Sequence, residues 1–211
     1  MDRINKKLRN EDLVLLKMEE ISDWNTFLHS VRVGFITEEV LDAMTNEDKN
    51  LYTETERSHI IRGAFLHDCG KTLNGLNLQQ LPRKLNNLEF IIIANHVIIG
   101  SMFVENFPTI IKDIVKYHHS IPVEQDKYIQ FPSDRDVPKY LELVALVDRF
   151  DALISDRPYH KGMNPEIVLK ILKENDFWGF STLEENYEII LKKLESKIED
   201  LDKPTEVFLY E

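Results

Sequence analysis

The long amphipathic stretch from Asp23 to Met44 limits most strongly what this chain can fold into. Its apolar residues recur every three or four positions, at Trp24, Phe27, Leu28, Val31, Phe35, Ile36 and Val40. This spacing places them on one face of an α-helix, and we expect that face to belong to the core. The chain also holds only seven glycines and eight prolines in 211 residues, which are few for a turn-rich β-sandwich. The sequence therefore predicts an all-α, single-domain helical bundle.

Further helices follow from apolar periodicity and from capping signals. They are predicted at 11–20, 53–70, 85–107, 108–119 and 138–155. We expect Gly70 to end its helix in the left-handed conformation that glycine adopts without strain. The segment 85–107 is apolar nearly all round, which predicts a buried helix. Residues 120–137 contain two prolines and several charges, and they are predicted to form a long loop beside the functional site.

Composition excludes several classes of function. The net charge of −11 and a pI near 5.2 are unfavourable for binding duplex nucleic acid, which needs a basic stripe. A phosphorylated small molecule stays compatible, because bound metal ions can carry the positive charge of a site. The single cysteine rules out an internal disulfide and fits a reducing cytosol. Without a signal-like segment or an apolar run of about 18 residues, the chain is predicted to be cytoplasmic and not membrane-bound.

Five of the seven histidines and two aspartates fall in, or at the ends of, predicted buried helices. They are His29, His67, His96, His118, His119, Asp68 and Asp148. A single such histidine is more often a hydrogen-bonded core residue than a ligand, but a shared metal centre satisfies the whole set at once. Imidazole and carboxylate without thiolate suit Fe, Mn, Zn or Ni. Seven ligands are too many for one ion, so two ions bridged by a carboxylate fit better.

Two of the polar residues have alternative interpretations. His29 could act by a hydrogen bond that orients a ligand rather than as a ligand itself. Asp151 lies one turn after Asp148 and is expected to cap the helix or to pair locally rather than to bind a metal.

The order His29, His67-Asp68, Asp148 resembles the signature of HD-domain phosphohydrolases, an all-α fold. The segments HDCGK at 67–71 and LVALVDRFDALISDRPYHKGMNPE are similar to motifs of the HD-GYP subgroup, bacterial phosphodiesterases that act on cyclic dinucleotides. The resemblance covers about residues 24–175. It divides the chain into a lead-in helix at 1–22, an HD/HD-GYP-like metal-dependent phosphohydrolase domain at 23–200 and a C-terminal tail at 201–211.

The resemblance also implies a role for each site residue. Two divalent metal ions would be held by His67, Asp68, His96, His118, His119 and Asp148, with His29 completing or supporting the set. Asp68 would bridge the ions, and Lys71 would face the phosphate, so these two are the predicted catalytic residues. Lys71 and Lys161 would contact the nucleotide, and Arg157 would lie near the nucleotide or anchor the following turn.

Some positions depart from the subgroup. The G-Y-P element is absent from 121–136, Ser120 replaces the Glu after the two histidines, and Asn25 stands where some members carry a Glu that binds a third metal. The prediction is a phosphodiesterase that hydrolyses a cyclic di-GMP-like dinucleotide, or a related nucleotide, through water activated by two metals. The alternatives are an HD-type nucleotide phosphomonoesterase and a non-catalytic nucleotide- or metal-binding signalling module. The expected partner is a small phosphorylated substrate, with a homodimer or a signalling partner left open.

Overall fold

A computed structural model describes residues 2–47, 51–73, 78–120, 128–156, 161–173 and 187–198. Within these residues all regular structure is helical, which confirms the all-α prediction. The α-helices are α1 (Asp2–Asn5), α2 (Asn10–Ser22), α3 (Trp24–Glu47), α4 (Glu54–Leu66), α5 (Asn87–Ala94), α6 (His96–Phe103), α7 (Thr109–Tyr117), α8 (Lys139–Ile154), α9 (Pro165–Lys173) and α10 (Tyr187–Ile198). Short 3-10 turns occupy Cys69–Leu73 and Leu78–Gln80.

The helix α3 lies at the centre of the fold and packs against α2, α4, α8 and α10. Its apolar face is buried as the spacing predicts, and the Phe35 ring meets the Phe65 ring of α4 edge to face at 5.1 Å. Trp24 differs from the prediction, because it is 49% exposed at the first position of the helix, where neighbouring helices do not cover it fully. The central position of α3 carries His29 into the interior of the bundle.

The helix α4 begins at the predicted capping box but ends earlier than expected. The Thr53 backbone N–H donates to Glu56 Oε2 at 2.8 Å, and the Glu56 N–H donates to Thr53 Oγ1 at 3.2 Å. The helix ends at Leu66, and the left-handed conformation expected for Gly70 is absent. A Cβ at Gly70 would lie 2.0 Å from the His96 carbonyl oxygen, so this glycine allows close approach of α6 rather than a helix end.

The prediction of one buried helix over 85–107 is wrong. The segment forms two helices, α5 and α6, with a break at Asn95. Only one side of α6 is buried, where it packs against α7 and the turn at Cys69–Leu73. Several large apolar side chains of the two helices are between 37% and 73% exposed: Leu88, Ile91, Ile92, Ile98 and Met102.

In the described part of the chain, no helix is long and apolar enough to cross a membrane. The predicted tail at 201–211 and residues 121–127 of the predicted loop lie outside the described residues. The domain boundaries at 22 and 200 stay predictions.

Candidate metal centre

The fold brings the seven predicted ligand residues into one cluster. They come from α3, the end of α4, the start of α6, the end of α7 and the middle of α8: His29, His67, Asp68, His96, His118, His119 and Asp148. They form three overlapping groups, and within each group the potential ligand atoms lie within 4.8 Å of one another. Six of the seven side chains are buried, and His119 is half-buried.

Asp68 lies between two sets of imidazoles. Its Oδ2 is 3.4 Å from His67 Nε2 and 3.7 Å from His29 Nε2. Its Oδ1 is 3.3 Å from His96 Nε2 and 3.7 Å from His118 Nε2. Each carboxylate oxygen therefore faces a different set of nitrogen atoms, which is the arrangement that a carboxylate needs in order to bridge two cations.

The imidazole rings are held in one orientation by hydrogen bonds from Nδ1. His67 and His96 each donate to the backbone carbonyl three residues earlier, at 2.8 and 2.7 Å. His118 donates to the carbonyl four residues earlier at 3.0 Å, and His29 donates to Asp151 Oδ2 at 2.7 Å. Because carbonyl and carboxylate oxygens only accept, Nδ1 carries the hydrogen in each ring. The Nε2 atoms of His67, His96 and His118 are then left as potential metal ligands directed at the cluster. His29 Nε2 lies 2.9 Å from Asp148 Oδ1, so a cation bound there would take the place of that hydrogen bond.

These Nε2 atoms fit a cation better than they fit one another. The Nε2 atoms of His96 and His118 are 3.3 Å apart, and in the neutral rings neither has a hydrogen to donate. His67 Nε2 and Asp68 Oδ1 are buried and make no hydrogen bond within the described residues. A buried polar atom without a partner is costly, and a divalent cation between these atoms would remove that cost. The residues present therefore fit a metal site.

The two carboxylates are ionised in this environment. Burial opposes ionisation of Asp68, but the Lys71 ammonium at 2.5 Å and His67 hold the pKa of its carboxyl well below the usual range. Burial also opposes ionisation of Asp148, and contacts from His29 and His67 keep its pKa well below the usual range. Both are thus available as anionic ligands at neutral pH.

Burial also sets the charge of the imidazoles. It lowers the pKa of His96 to about 4 and that of His119 well below its ordinary value, so both rings are neutral near pH 7. Burial lowers the pKa of His67 as well, but Asp68 and Asp148 outweigh it and raise the pKa well above the ordinary value. The same two carboxylates that favour a proton on His67 also favour a metal cation at this position.

Sequence reasoning missed the residues that hold His29 in place. Asp151 was expected to cap or pair locally, but it joins α8 to α3. Arg32 donates to it from Nε at 2.6 Å and from Nη2 at 2.8 Å, while Asp151 accepts from His29 Nδ1. A signal was present, since Arg32 and Asp151 each follow a candidate ligand by three residues on the same helix face.

A cavity of about 220 Å³ opens beside the cluster. His29, His96 and His119 contribute to its lining, as does Lys71. Around Arg32 and Ser155 the lining is polar. Further polar lining comes from Asp23, Asn25, Thr26, Gln79 and Asp156. The apolar and aromatic lining consists of Leu85, Phe90, Ile93 and Tyr128.

The three predicted substrate contacts have different outcomes. Lys71 lies at the cavity, next to Asp68. Lys161 is exposed and is not among the described residues that line the cavity. Arg157 lies outside the described residues.

Comparison with known proteins identifies relatives of this chain among curated proteins. A Vibrio cholerae protein named a probable cyclic di-GMP phosphodiesterase is 27% identical over 170 residues, which are 75% of this chain and 38% of that protein. A Thermotoga maritima cyclic di-GMP phosphodiesterase is 27% identical over 192 residues, 89% of this chain and 50% of that protein. The chain thus spans half or less of the length of these relatives.

Solved structures share the fold. The HD domain of the Listeria monocytogenes phosphodiesterase PgpH superposes with a TM-score of 0.65 at 18% identity, covering 90% of this chain and 99% of that one. The same domain in complex with cyclic di-AMP gives a TM-score of 0.62 at 21% identity, covering 89% of this chain and 97% of that one. These superpositions show that the chain shares the fold of an HD domain. The model of the HD domain family matches residues 26–153, and the chain therefore belongs to the HD domain family.

Proposed function

We propose that the chain is a phosphodiesterase that holds two divalent cations and hydrolyses a cyclic dinucleotide of the cyclic di-GMP type. The observation that carries the proposal is the position of Asp68, whose two oxygens face two different sets of imidazole Nε2 atoms. Two cations sharing one carboxylate are a common arrangement for displacement at phosphorus.

The ligand groups suggest how the cations would be divided. One would be held by His29, His67 and Asp68, and the other by Asp68, His96, His118 and His119. Asp148 would join the first set, because its Oδ1 is 2.9 Å from His29 Nε2 and 3.7 Å from His67 Nε2. Such cations, when bound, lower the pKa of a coordinated water and neutralise charge on phosphoryl oxygens. The donor set suits Fe, Mn, Zn or Ni.

Lys71 would contact the substrate phosphate. Its ammonium binds Asp68 Oδ2, and its side chain lines the cavity. The ammonium therefore lies where the cluster borders the cavity. An ammonium has three donors, which allows one to stay on Asp68 while another is given to a phosphoryl oxygen. That hydrogen bond strengthens as negative charge builds on the oxygen in the transition state.

The choice of a cyclic dinucleotide rests on the relatives. The Vibrio and Thermotoga proteins are named for cyclic di-GMP, and the Listeria domain was solved with cyclic di-AMP. The size of the cavity favours a second candidate, a nucleotide phosphomonoesterase. About 220 Å³ is below the roughly 300–1,000 Å³ of sites that enclose drug-sized ligands, and suits a single nucleotide unit.

A substrate screen on metal-loaded protein tests the proposal. The chain is stripped, reloaded in turn with Mn, Fe, Zn or Ni, and offered cyclic di-GMP, cyclic di-AMP, nucleoside monophosphates and bis(p-nitrophenyl) phosphate. We expect hydrolysis of a cyclic dinucleotide, and a loss of roughly 100-fold or more in Asp68→Asn, with reduced metal content.

The matched control is Asp113→Asn. Asp113 is also a buried carboxylate, but it accepts from Tyr140 and Arg135 away from the cluster, so its variant should keep the activity if it folds. Turnover of monophosphates alone favours the second candidate. Absence of turnover for every phosphoester with every metal contradicts both.

A further inference from the structure

We infer that Tyr128 and Phe90, whose rings lie at 74° to each other, form an aromatic platform that holds the base of a nucleotide whose phosphate lies at Asp68 and Lys71. The inference rests on the proposed function and adds to it a binding site for the base. It concerns the part of the chain that replaces the G-Y-P element of the HD-GYP subgroup, since Tyr128 lies within 121–136.

Ring geometry places Tyr128 between the cluster and Phe90, and these two rings form the aromatic wall of the cavity. Its ring centroid is 4.3 Å from that of His119, with the two planes tilted by 32°. On α5, the Phe90 ring meets it edge to face at 5.8 Å. The ring of His96 is 6.2 Å away. The aromatic wall therefore begins directly beside two candidate metal ligands.

The cavity is chemically different at its two sides. Arg32 and Ser155 both hydrogen-bond Asp151, which binds His29, so this part of the polar lining lies on the His29 side of the cluster. The aromatic lining belongs to the side of His96 and His119. A ligand that fills the cavity therefore needs a polar part, an anionic part for the cluster and an apolar part.

A nucleotide has these three parts. Its phosphate suits the cluster, its sugar hydroxyls suit polar groups, and its base is the flat apolar part that aromatic side chains stack. A sugar phosphate lacks the third part and leaves the wall of Phe90 and Tyr128 in contact with water. The geometry therefore points to selection for a base rather than for a phosphate ester alone.

Equilibrium binding tests the inference without requiring turnover. Isothermal titration compares guanosine 5′-monophosphate with ribose 5-phosphate on the metal-loaded chain. Stacking of a base predicts that the nucleotide binds roughly 5- to 150-fold more tightly than the sugar phosphate. Tyr128→Leu and Phe90→Leu should lose most of this ratio, while Tyr128→Phe should keep it. Affinity for ribose 5-phosphate should be the same in all of these proteins.

The chain offers a matched aromatic control in Phe131. Its ring packs on Tyr117 at 5.2 Å and under the Arg135 guanidinium at 4.9 Å, and it is not among the described residues that line the cavity. Phe131→Leu should therefore leave the ratio unchanged.

Two results overturn the inference: no advantage for the nucleotide in the wild type, or an unchanged ratio in both leucine variants. Metal content is measured for each protein. Should Tyr128→Leu lose metal through its contact with His119, Phe90→Leu decides, because no ring contact joins Phe90 to a histidine among the described residues. A failed substrate screen with an intact binding ratio would contradict hydrolysis and leave the platform standing.

Discussion

Glu19 is a buried acid on α2, 1% exposed, and neither of its carboxylate oxygens makes a hydrogen bond within the described residues. Burial raises its pKa from 4.5 to about 8; the neighbouring Ser30 hydroxyl lowers this pKa and the Asp68 carboxylate raises it, both by less than burial does. The folded chain therefore keeps a proton that the unfolded chain loses above about pH 4.5. Because the folded state binds more protons between these two pKa values, stability falls as pH rises through that window.

Glu19→Gln should remove this pH dependence, since glutamine has nearly the same shape and does not ionise. Linkage gives about 4 kcal/mol of stability that the wild type loses, and the variant keeps, between pH 4.5 and 8. Urea unfolding of both proteins at pH 5 and pH 8 measures the difference. Glu20→Gln is the control, because Glu20 pairs with Lys17 at the surface of the same helix. Equal pH slopes in wild type and Glu19→Gln would contradict the prediction.

At the scale of single residues, the sequence predicts the seven candidate ligands but not the side chains that hold them in place. The seven candidate ligands were predictable because their residue types, order and motif spacing are visible in the chain. Glu19 and Arg32 were not, since their roles depend on which helices pack together. Asp151 was noticed, but its partner lies on α3 and could not be identified without the contact between α3 and α8.

Among the elements, the close contact between α6 and the turn at Cys69–Leu73 matters most for the site. A Cβ at Gly70 would lie 2.0 Å from the His96 carbonyl oxygen and 2.5 Å from the Gly100 nitrogen. These are backbone atoms, so they can move only if α6 moves. The contact brings His96 against Asp68, and it needs a glycine at position 70.

Gly70→Ala should therefore push α6 away from the turn. We expect a loss of roughly 2–4 kcal/mol in the free energy of unfolding. Metal affinity should fall as well, because His96 moves with its helix. Gly63→Ala is the control, since the nearest atom there is the end of the Ile114 side chain at 2.6 Å, which can rotate. Urea unfolding and metal titration measure both variants, and equal costs in the two would be evidence against this explanation.

Most helices are predictable from apolar spacing, but the same spacing predicts one helix where the structure has two, α5 and α6. Periodicity cannot detect a break where almost every residue is apolar, and the run LEFIIIANHVIIG gives no contrast between a core face and a surface face. The break at Asn95 depends instead on tertiary packing, in which α6 contacts α7 and the turn at Cys69–Leu73.

For the molecule as a whole, the candidate metal centre draws its ligands from helices that are distant in sequence. The candidate ligands lie on α3, α6 and α8 and at the ends of α4 and α7, so bound cations would link five helices. A ligand that binds only the folded state stabilises it by mass action. With free metal at about 1,000 times its dissociation constant, the gain is about 4 kcal/mol.

Removal of metal should therefore lower the melting temperature by roughly 10 °C for a chain of this size. Differential scanning fluorimetry before and after chelation measures the change, and titration with Mn should restore it. Mg is the control, since a hard cation prefers oxygen ligands and should restore little on a histidine-rich site. A melting temperature that does not respond to chelation and reloading would contradict a metal centre that links the helices.

The hydrogen bonds that orient the histidines also determine which substitutions near the cluster would disturb it. Three of the rings are oriented by main-chain carbonyls, and no amino-acid substitution can delete a carbonyl. His29 is different, because its orientation is encoded by a second side chain, Asp151. Substitutions near His67, His96 and His118 should therefore leave the orientation of these rings unchanged as long as the helices form. Substitution of Asp151 should instead remove the hydrogen bond that orients His29.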